Sequence, residues 1–214
     1  NIFRGDWADD EKHGAGEMEF ANGDIIRGNW EKGVYAGHGK HTFFYGDQFD
    51  GQYQNGKKSG FGKMTFDNGA QYDGDWQNDK PHGNGRIAYS NGDVYEGNFA
   101  NGQKSGQGKY TYVSGEMYQG HWADDEKNGT GTFMYINGDR YNGEWRDGLR
   151  NGKGIYTSQS GYEYRGQFKD GKRHGFGLLT HPDKTYYNGE WQNGEMSRNG
   201  VYQMSNGDRY EGKW

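Results

Sequence analysis

Aromatic residues and glycines recur along this chain every 23 residues. Counted from Phe3 as repeat position one, position three is Gly in every unit, position five is aromatic, and position fourteen is Gly in every complete unit. No insertion or deletion breaks this register. Internal repeats of this length indicate an array of small structural units. The chain therefore consists of nine complete repeats, which begin at residues 3, 26, 49, 72, 95, 118, 141, 164 and 187, and a partial tenth that begins at residue 210.

Each repeat is predicted to be a β-hairpin. In the fourth repeat, residues 72–76 form a short aromatic run, residues 78–81 a polar turn, residues 85–89 a second run, and residues 91–93 (Asn-Gly-Asp) a turn into the next repeat. Asn-Gly between aromatic runs is a strong hairpin signal, because both residues tolerate the positive φ of tight turns. Stacked hairpins predict an all-β, elongated, single-layer antiparallel sheet, or solenoid, of roughly 85 Å.

The two faces of that sheet differ in polarity. Because strand residues alternate faces, positions one, three and five share one face and place aromatic rings around glycine. A glycine leaves room for a neighbouring ring to lie over the backbone. The intervening positions are mostly polar, as in Asp73, Asp75 and Arg86. The aromatic rings are therefore predicted to supply the buried surface, since the chain has no other candidate for a core.

Composition limits the functional classes. Hydrophobic residues make up 29% and the mean hydropathy is -1.33, values typical of disorder, but 17% of residues are aromatic and only two are Pro. A net charge of -5 gives no support for nucleic-acid binding. The absence of Cys excludes disulfides and thiolate metal sites, and no apolar stretch is long enough to span a bilayer. We expect a cytoplasmic fragment of a longer protein, associated with the cytoskeleton or a membrane.

The repeat resembles the MORN (membrane occupation and recognition nexus) repeat. Residues 95–108 read Tyr-Glu-Gly-Asn-Phe-Ala-Asn-Gly-Gln-Lys-Ser-Gly-Gln-Gly, close to the family signature of Tyr-x-Gly-x-Trp, Asn-Gly-Lys and Gly-x-Gly. Four positions depart from it: Phe3, Ile26, Lys184 and Arg198. The resemblance covers the whole chain and is closest to protozoan cytoskeletal scaffolds. It implies self-association as antiparallel dimers and binding of protein partners, and phospholipid binding has been proposed for the family.

Three sets of side chains are candidate binding sites. The aromatic face, as a groove for a peptide or helix, is predicted to include eight rings: Tyr72, Trp76, Tyr95, Phe99, Tyr118, Trp122, Tyr141 and Trp145. On the other face, repeat position fifteen is cationic in four successive repeats, a candidate row for anionic lipid: Lys40, Lys63, Arg86 and Lys109. Further along, that face becomes apolar, and we expect a continuous stripe there to mediate self-association: Ile155, Phe176, Leu178 and Val201.

Other polar clusters do not indicate chemistry. Residues 8–12 and 123–127 share the sequence Ala-Asp-Asp-Glu-Lys, which replaces a hairpin turn and lacks the oxygens and Gly bend of a calcium loop. His13, His82 and His174 share repeat position eleven but lie several repeats apart, too far to share a metal. His38 and His41 are predicted to face opposite ways. We expect no catalytic set, no cofactor and no metal site.

The leading hypothesis is a non-enzymatic scaffold that self-associates, as a homodimer, and docks protein partners at the cytoskeleton or cell cortex. A phosphoinositide-binding module working through the cationic row is the first alternative, with weak phospholipid binding expected. A targeting module of a larger multidomain protein is the second. No nucleic-acid partner is expected.

Overall fold

The computed structural model describes residues 1–214 and is all-β. Nineteen strands follow one another along the chain: β1 (Ile2–Ala8), β2 (Glu11–Glu19), β3 (Ile25–Glu31), β4 (Val34–Thr42), β5 (Gln48–Gln54), β6 (Lys57–Thr65), β7 (Gln71–Gln77), β8 (Lys80–Ala88), β9 (Val94–Ala100), β10 (Gln103–Thr111), β11 (Met117–Ala123), β12 (Glu126–Met134), β13 (Arg140–Arg146), β14 (Leu149–Thr157), β15 (Glu163–Lys169), β16 (Lys172–Thr180), β17 (Tyr186–Gln192), β18 (Glu195–Gln203) and β19 (Arg209–Lys213). The predicted hairpin array is confirmed.

The chain divides into two compact units, Asn1–Gly106 and Gln107–Trp214, with the boundary inside β10. In the first unit, each strand from β1 to β9 pairs antiparallel with the next strand in the chain. The second unit has the same arrangement from β11 to β19. Each unit is therefore an open sheet in which a hairpin contacts only its neighbours. No helix long and apolar enough to span a bilayer is found.

The turn within each hairpin contains two residues, both with positive φ. Asn78 and Asp79 have φ of 49° and 68° and connect β7 to β8. Two consecutive positive values define the type I′ turn, whose twist matches that of the flanking strands. The repeated Ala-Asp-Asp-Glu-Lys segment forms the same turn, at Asp9 with Asp10 and at Asp124 with Asp125. Its interpretation as a polar turn is confirmed.

A large β-bulge interrupts the hairpins, with a register shift in eight of the nine. In the fourth repeat, Gly74 pairs with Gly85 and Trp76 pairs with Pro81, so that only Asp75 lies between them on β7 while residues 82–84 lie between them on β8. The second strand therefore begins at Lys80, directly after the turn, rather than at residue 85 as the sequence pattern indicated. The bulge brings repeat position ten onto the aromatic face, opposite the ring at position five.

The glycine pairs make room for the tyrosines. A Cβ atom at Gly85 would lie 2.5 Å from the Tyr72 hydroxyl oxygen, and one at Gly74 would lie 2.5 Å from the Gly85 Cα. No real Cβ tolerates such distances, so each first-position ring lies directly over two facing glycines. The expectation that rings cover the glycine backbone is confirmed, and the glycines are required for the close approach.

Candidate functional site

The aromatic face is a ladder of buried rings. The eight rings proposed as partner contacts are between 0 and 6% exposed: Tyr72, Trp76, Tyr95, Phe99, Tyr118, Trp122, Tyr141 and Trp145. Successive rings meet edge to face, as in Tyr141 with Trp145 at 5.2 Å and Tyr141 with Phe168 at 5.0 Å between centroids. These rings form the core of the sheet. The prediction that these eight rings themselves contact a partner is therefore corrected, because the rings are buried within the sheet.

The polar atoms of these rings are used internally. The Tyr118 hydroxyl donates to the His121 carbonyl at 3.0 Å, and the Trp145 indole N–H donates to the Gly131 carbonyl at 3.1 Å. The same Tyr bond, from position one to the carbonyl at position four, recurs in six further repeats: Tyr72, Tyr95, Tyr141, Tyr164, Tyr187 and Tyr210. Since position four lies in the bulge, the hydroxyl compensates a carbonyl that the irregular strand pairing leaves without a regular partner.

Cations at repeat position ten cover the ladder. Six repeats have Lys or Arg there, each with its charged group over at least one ring: Lys12, Lys58, Lys104, Lys127, Arg150 and Arg173. The Lys127 Nζ lies 4.8 Å from the Trp145 ring centroid, and the Arg173 guanidinium lies 4.2 Å from that of Trp191. A cation over an aromatic face is attracted by the ring quadrupole. The accessible part of the aromatic face is thus cationic as well as aromatic.

In the second unit this face contains a cavity of about 410 Å³. Its lining is aromatic, basic and backbone: Tyr135, Arg150, Tyr156, Tyr162, Tyr164, Phe168, Gly171, Lys172, Arg173 and Gly194. No carboxylate contributes to it. Tyr164 and Phe168 are almost fully buried in its wall, whereas Tyr135, Tyr156 and Tyr162 remain half-buried. The cavity is large enough for amino-acid side chains, and its walls combine apolar surface with hydrogen-bond donors.

The two arginines of the cavity are held by backbone carbonyls. Arg150 Nη2 donates to the Gly171 carbonyl at 2.6 Å, and Arg173 Nη2 donates to the Gly194 carbonyl at 3.0 Å. Each carbonyl belongs to the type I′ turn of the next hairpin. Burial lowers the pKa of Arg173, and the nearby Arg150 charge lowers it further, although Tyr164 and Tyr162 offset part of the effect. Burial also raises the pKa of Tyr164 to about 12, so this ring is neutral at physiological pH.

The cationic row on the opposite face is interleaved with acids. Lys63 pairs across the strands with Asp50 on one side and Asp73 on the other, and Arg86 pairs with Asp73 and Glu96. Arg86 Nε lies 3.2 Å from Glu96 Oε1. Lys40 likewise lies opposite Asp50. All four basic residues, Lys40, Lys63, Arg86 and Lys109, are exposed as expected, but in the first unit the row is a ladder of alternating charges.

The proposed apolar stripe is interrupted in the same way. Arg165 lies opposite both Ile155 and Leu178, and Asn188 lies opposite both Leu178 and Val201. The stripe is therefore not continuous, because position two of each intervening strand contributes a polar side chain. Phe176, which lies two residues before Leu178 on β16, is 67% exposed.

The histidines are separated as the alternation of the strand predicts. His38 has 63% of its side chain exposed and lies 3.0 Å from Asp50, whereas His41 has 12% exposed and lies 3.4 Å from Asp24. No cluster of three or more His, Asp or Glu side chains is arranged to hold a metal ion.

Sequence reasoning missed the cations over the rings. Position ten was assigned to the hairpin turn, because a regular hairpin has no place for the two extra residues of the bulge. A signal was present: six of the nine repeats carry Lys or Arg at this position. A turn residue that faces only solvent has no reason to keep one charge in repeat after repeat.

The fold and this face define a β-hairpin repeat protein with an aromatic, cation-covered face. The chain belongs to the MORN repeat family, whose sequence profile matches residues 3–25, 27–47, 49–71, 72–94, 95–117, 118–140, 141–161, 164–186 and 187–209. No curated protein sequence matches the chain.

Solved structures resemble this chain at low sequence identity. The TCP10 domain of Danio rerio CPAP, solved with a peptide of Danio rerio STIL, has a TM-score of 0.55 and 13% identity, with all of both chains covered. The TCP domain of Drosophila melanogaster SAS-4, solved with a proline-rich motif of Ana2, has a TM-score of 0.46 and 15% identity, covering 72% of this chain and 85% of that chain.

Proposed function

We propose that this chain is a non-enzymatic scaffold whose aromatic face binds peptide segments of partner proteins. The observation that carries the proposal is the cavity between Arg150 and Arg173, which is open to solvent on a face that is otherwise a packed ladder of rings. Its three half-buried tyrosines offer large, rigid apolar surface at a low entropic cost. An aromatic groove with a few fixed donors is a common peptide-binding arrangement.

The repeat length also suits an extended peptide. Two strands advance a sheet by about 10 Å, and an extended chain covers that distance in about three residues. A peptide lying across the strands would therefore present every third side chain to the equivalent point of the next repeat. The Danio rerio domain that shares this fold was solved with a peptide of another protein, which supports the same use of the sheet here.

Selection from a phage-displayed library of random dodecapeptides tests this function. The groove variant combines Tyr135→Ser and Tyr162→Thr, since Ser158 and Thr185 occupy the same repeat positions in the next repeat. The control is Phe61→Asn on the opposite face, where Asn84 is the equivalent residue of the next repeat. Selected peptides should lose about tenfold or more in affinity for the groove variant and bind the control as they bind the wild type. Failure to select any peptide, or equal binding to both variants, would overturn the proposal.

The cellular role that we propose is a cytoskeletal or cortical scaffold in the cytoplasm that also self-associates. The resemblance of the repeats to those of cytoskeletal scaffolds supports this role. Homodimerisation is proposed through the apolar side chains of the second unit, chiefly Phe176 and Leu178. Exposed apolar residues on a single-layer sheet are a usual basis for association.

Phosphoinositide binding is the alternative function, and the structure gives its cationic row little free charge. Lys40, Lys63 and Arg86 alternate with Asp50, Asp73 and Glu96, so an anionic headgroup would compete with carboxylates already in place. We expect weak sedimentation with vesicles of phosphatidylserine and a phosphoinositide at physiological salt. Strong binding that is abolished by changing Lys40, Lys63, Arg86 and Lys109 to Glu would favour the alternative.

A further inference from the structure

Arg150 and Arg173 have no acidic partner, whereas three other arginines of the second unit do. Arg165 is paired with Glu163, Arg198 lies 3.7 Å from Glu190, and Arg209 lies 2.7 Å from Glu211. Neither cavity arginine takes part in an ion pair, and both are half-buried whereas the paired arginines are exposed. Two half-buried guanidinium groups without a counter-ion are energetically unfavourable, because partial burial removes hydration without supplying an opposite charge.

The cavity keeps these two charges in place. The carbonyls of Gly171 and Gly194 each accept one bond from Arg Nη2, which leaves most of the five N–H donors of each guanidinium unused by those bonds. The guanidinium of Arg150 lies 5.4 Å from the Phe168 ring centroid, and that of Arg173 lies 4.2 Å from the Trp191 centroid. Stacking on a ring and bonding to a carbonyl fix the plane of each group in advance, so little entropy is lost when an anion binds.

We propose that Arg150 and Arg173 form an anion clamp that binds the carboxylate of an Asp or Glu side chain in a partner peptide. The inference rests on the proposed peptide-binding function and specifies the chemistry of its partner. A carboxylate accepts paired N–H bonds from a guanidinium fork and would supply the negative charge that the lining lacks. The tyrosine walls would contact the apolar side chains on either side of the acidic residue.

The surroundings favour a peptide over a membrane surface. Residues 107–214 contain 14 Lys and Arg and 14 Asp and Glu, so the second unit has no excess positive charge to attract an anionic bilayer. The clamp is one local concentration of positive charge on a recessed, tyrosine-lined surface, and a flexible acidic side chain reaches such a place more readily than a planar array of lipid headgroups.

Arg150→Met with Arg173→Met is the test variant. Met196 occupies the same repeat position in the ninth repeat, so the fold already uses this side chain there. Met keeps much of the apolar stem that packs on the rings and removes the charge. The matched control is Arg140→Gln with Arg165→Gln, which removes two charges from exposed positions that do not line the cavity. Circular dichroism and a urea midpoint establish that each variant is folded.

Random dodecapeptides displayed on phage are selected separately on the wild type, the Met variant and the control. We expect an Asp or Glu to be enriched at one position of the peptides from the wild type and the control, and this enrichment to disappear on the Met variant. For a peptide chosen from the wild type, replacing its acidic residue with the corresponding amide should weaken binding about tenfold to a hundredfold. The same replacement should change binding to the Met variant little, since the two changes remove one interaction.

The outcomes separate this inference from the function on which it rests. Peptides that bind the groove without an acidic preference, and that bind the Met variant equally, would overturn the clamp and leave peptide binding intact. If no selected peptide binds the groove, the proposed function and the clamp both fail. Binding of phosphatidylserine and phosphoinositide vesicles that depends on both arginines, without selection of acidic peptides, would assign the pocket to lipid and also overturn the clamp.

Discussion

One hydroxyl group distinguishes Tyr118 from Phe49 at the first position of the repeat. Both rings are 0% exposed, so both supply the same apolar burial. Only the tyrosine donates to the carbonyl of the bulge, at 3.0 Å from the oxygen of His121. Elsewhere a hydroxyl is buried without a partner, at Tyr53 in the fifth position, where Phe99 and Phe168 stand in other repeats. The same functional group is thus stabilising at one position and costly at another.

Tyr118→Phe should lower the free energy of unfolding by about 1 kcal/mol, the usual net contribution of a buried hydrogen bond. The matched change Tyr53→Phe should leave stability unchanged or raise it, because it removes a polar atom that has no partner. Urea unfolding of both variants beside the wild type measures the difference. Equal losses in the two variants would show that the hydroxyls contribute through packing and not through the bond to the bulge.

We expect His41 to make stability dependent on pH. Its ring is stacked on Phe43 with 3.7 Å between centroids, and it occupies a position that is apolar or aromatic in the other repeats. Burial lowers the pKa of His41, although the Asp24 carboxylate offsets part of the effect. Because the folded pKa is depressed, the unfolded chain binds the proton more readily. The stabilising contribution is present above the ordinary histidine pKa of about 6.5 and is lost as the pH falls through the folded value.

We expect His41→Met to reduce the loss of stability between about pH 7.5 and about pH 5.5, the range that brackets the ordinary titration of histidine. Met18 and Met64 occupy the same position in the two adjacent repeats, so the substitution fits the sheet. Urea midpoints recorded across this range for the variant and the wild type provide the measurement. Parallel curves would show that His41 does not contribute to the pH dependence.

At the residue scale, the sequence predicted which side chains are buried but not what covers them. The alternation of strand residues placed Tyr141 and Trp145 on one face, and both are core residues. It could not place Arg150 there, because a regular two-residue alternation does not include the two extra residues of the bulge. The cations over the rings, and with them the cavity, depend on that local irregularity.

At the scale of the hairpin, backbone conformation is set by a few positions with positive φ. Repeat position twelve has positive φ in all nine complete repeats and is Gly in eight of them, such as Gly60 and Gly83. The ninth repeat has Arg198 there, with φ of 54°. The eighth repeat has Lys184, with φ of 70°, in place of the Gly of the second turn. The sequence identified both departures, and the structure shows that each repeat keeps the conformation with a less suitable residue.

Arg198→Gly should stabilise the second unit by about 0.5–1 kcal/mol. A left-handed backbone conformation costs a residue with a side chain roughly 1–2 kcal/mol, which the substitution by Gly removes. The greater conformational entropy of Gly in the unfolded chain offsets only part of this gain. The Arg198–Glu190 pair that is lost spans 3.7 Å, and 74% of the Arg198 side chain is exposed, so the pair contributes little. As a control, Gly175→Arg in the preceding repeat should destabilise, since its φ is 62° and its Cβ would meet the Gln167 side chain. Thermal unfolding of the two variants beside the wild type measures both effects, and a destabilised Arg198→Gly would contradict the prediction.

At the scale of the whole chain, charge and apolar surface are unevenly distributed. Residues 1–106 carry 11 basic and 16 acidic side chains, so the full formal charge of -5 belongs to the first unit. Position fifteen is charged in the first unit and apolar in the last three complete repeats of the second. The repeat fold tolerates either kind of residue there, since position fifteen pairs with position two of the preceding strand in both units. The apolar residues of the second unit are therefore not required by the fold, and self-association is the use that we propose for them.

Self-association should be lost when Leu178 is changed to Glu and Val201 to Lys. Each new charge would find an opposite charge across the strands, Arg165 beside residue 178 and Glu211 beside residue 201, so the sheet should remain intact. A twofold contact that buries Phe176 and its neighbours would have to desolvate these charges, which is costly. Light scattering coupled to gel filtration should give a dimer for the wild type and for the control Thr132→Glu, and a monomer for the double variant, with unchanged circular dichroism. A double variant that remains dimeric would place the interface elsewhere, and a wild type that is monomeric at all concentrations would show that this face does not self-associate.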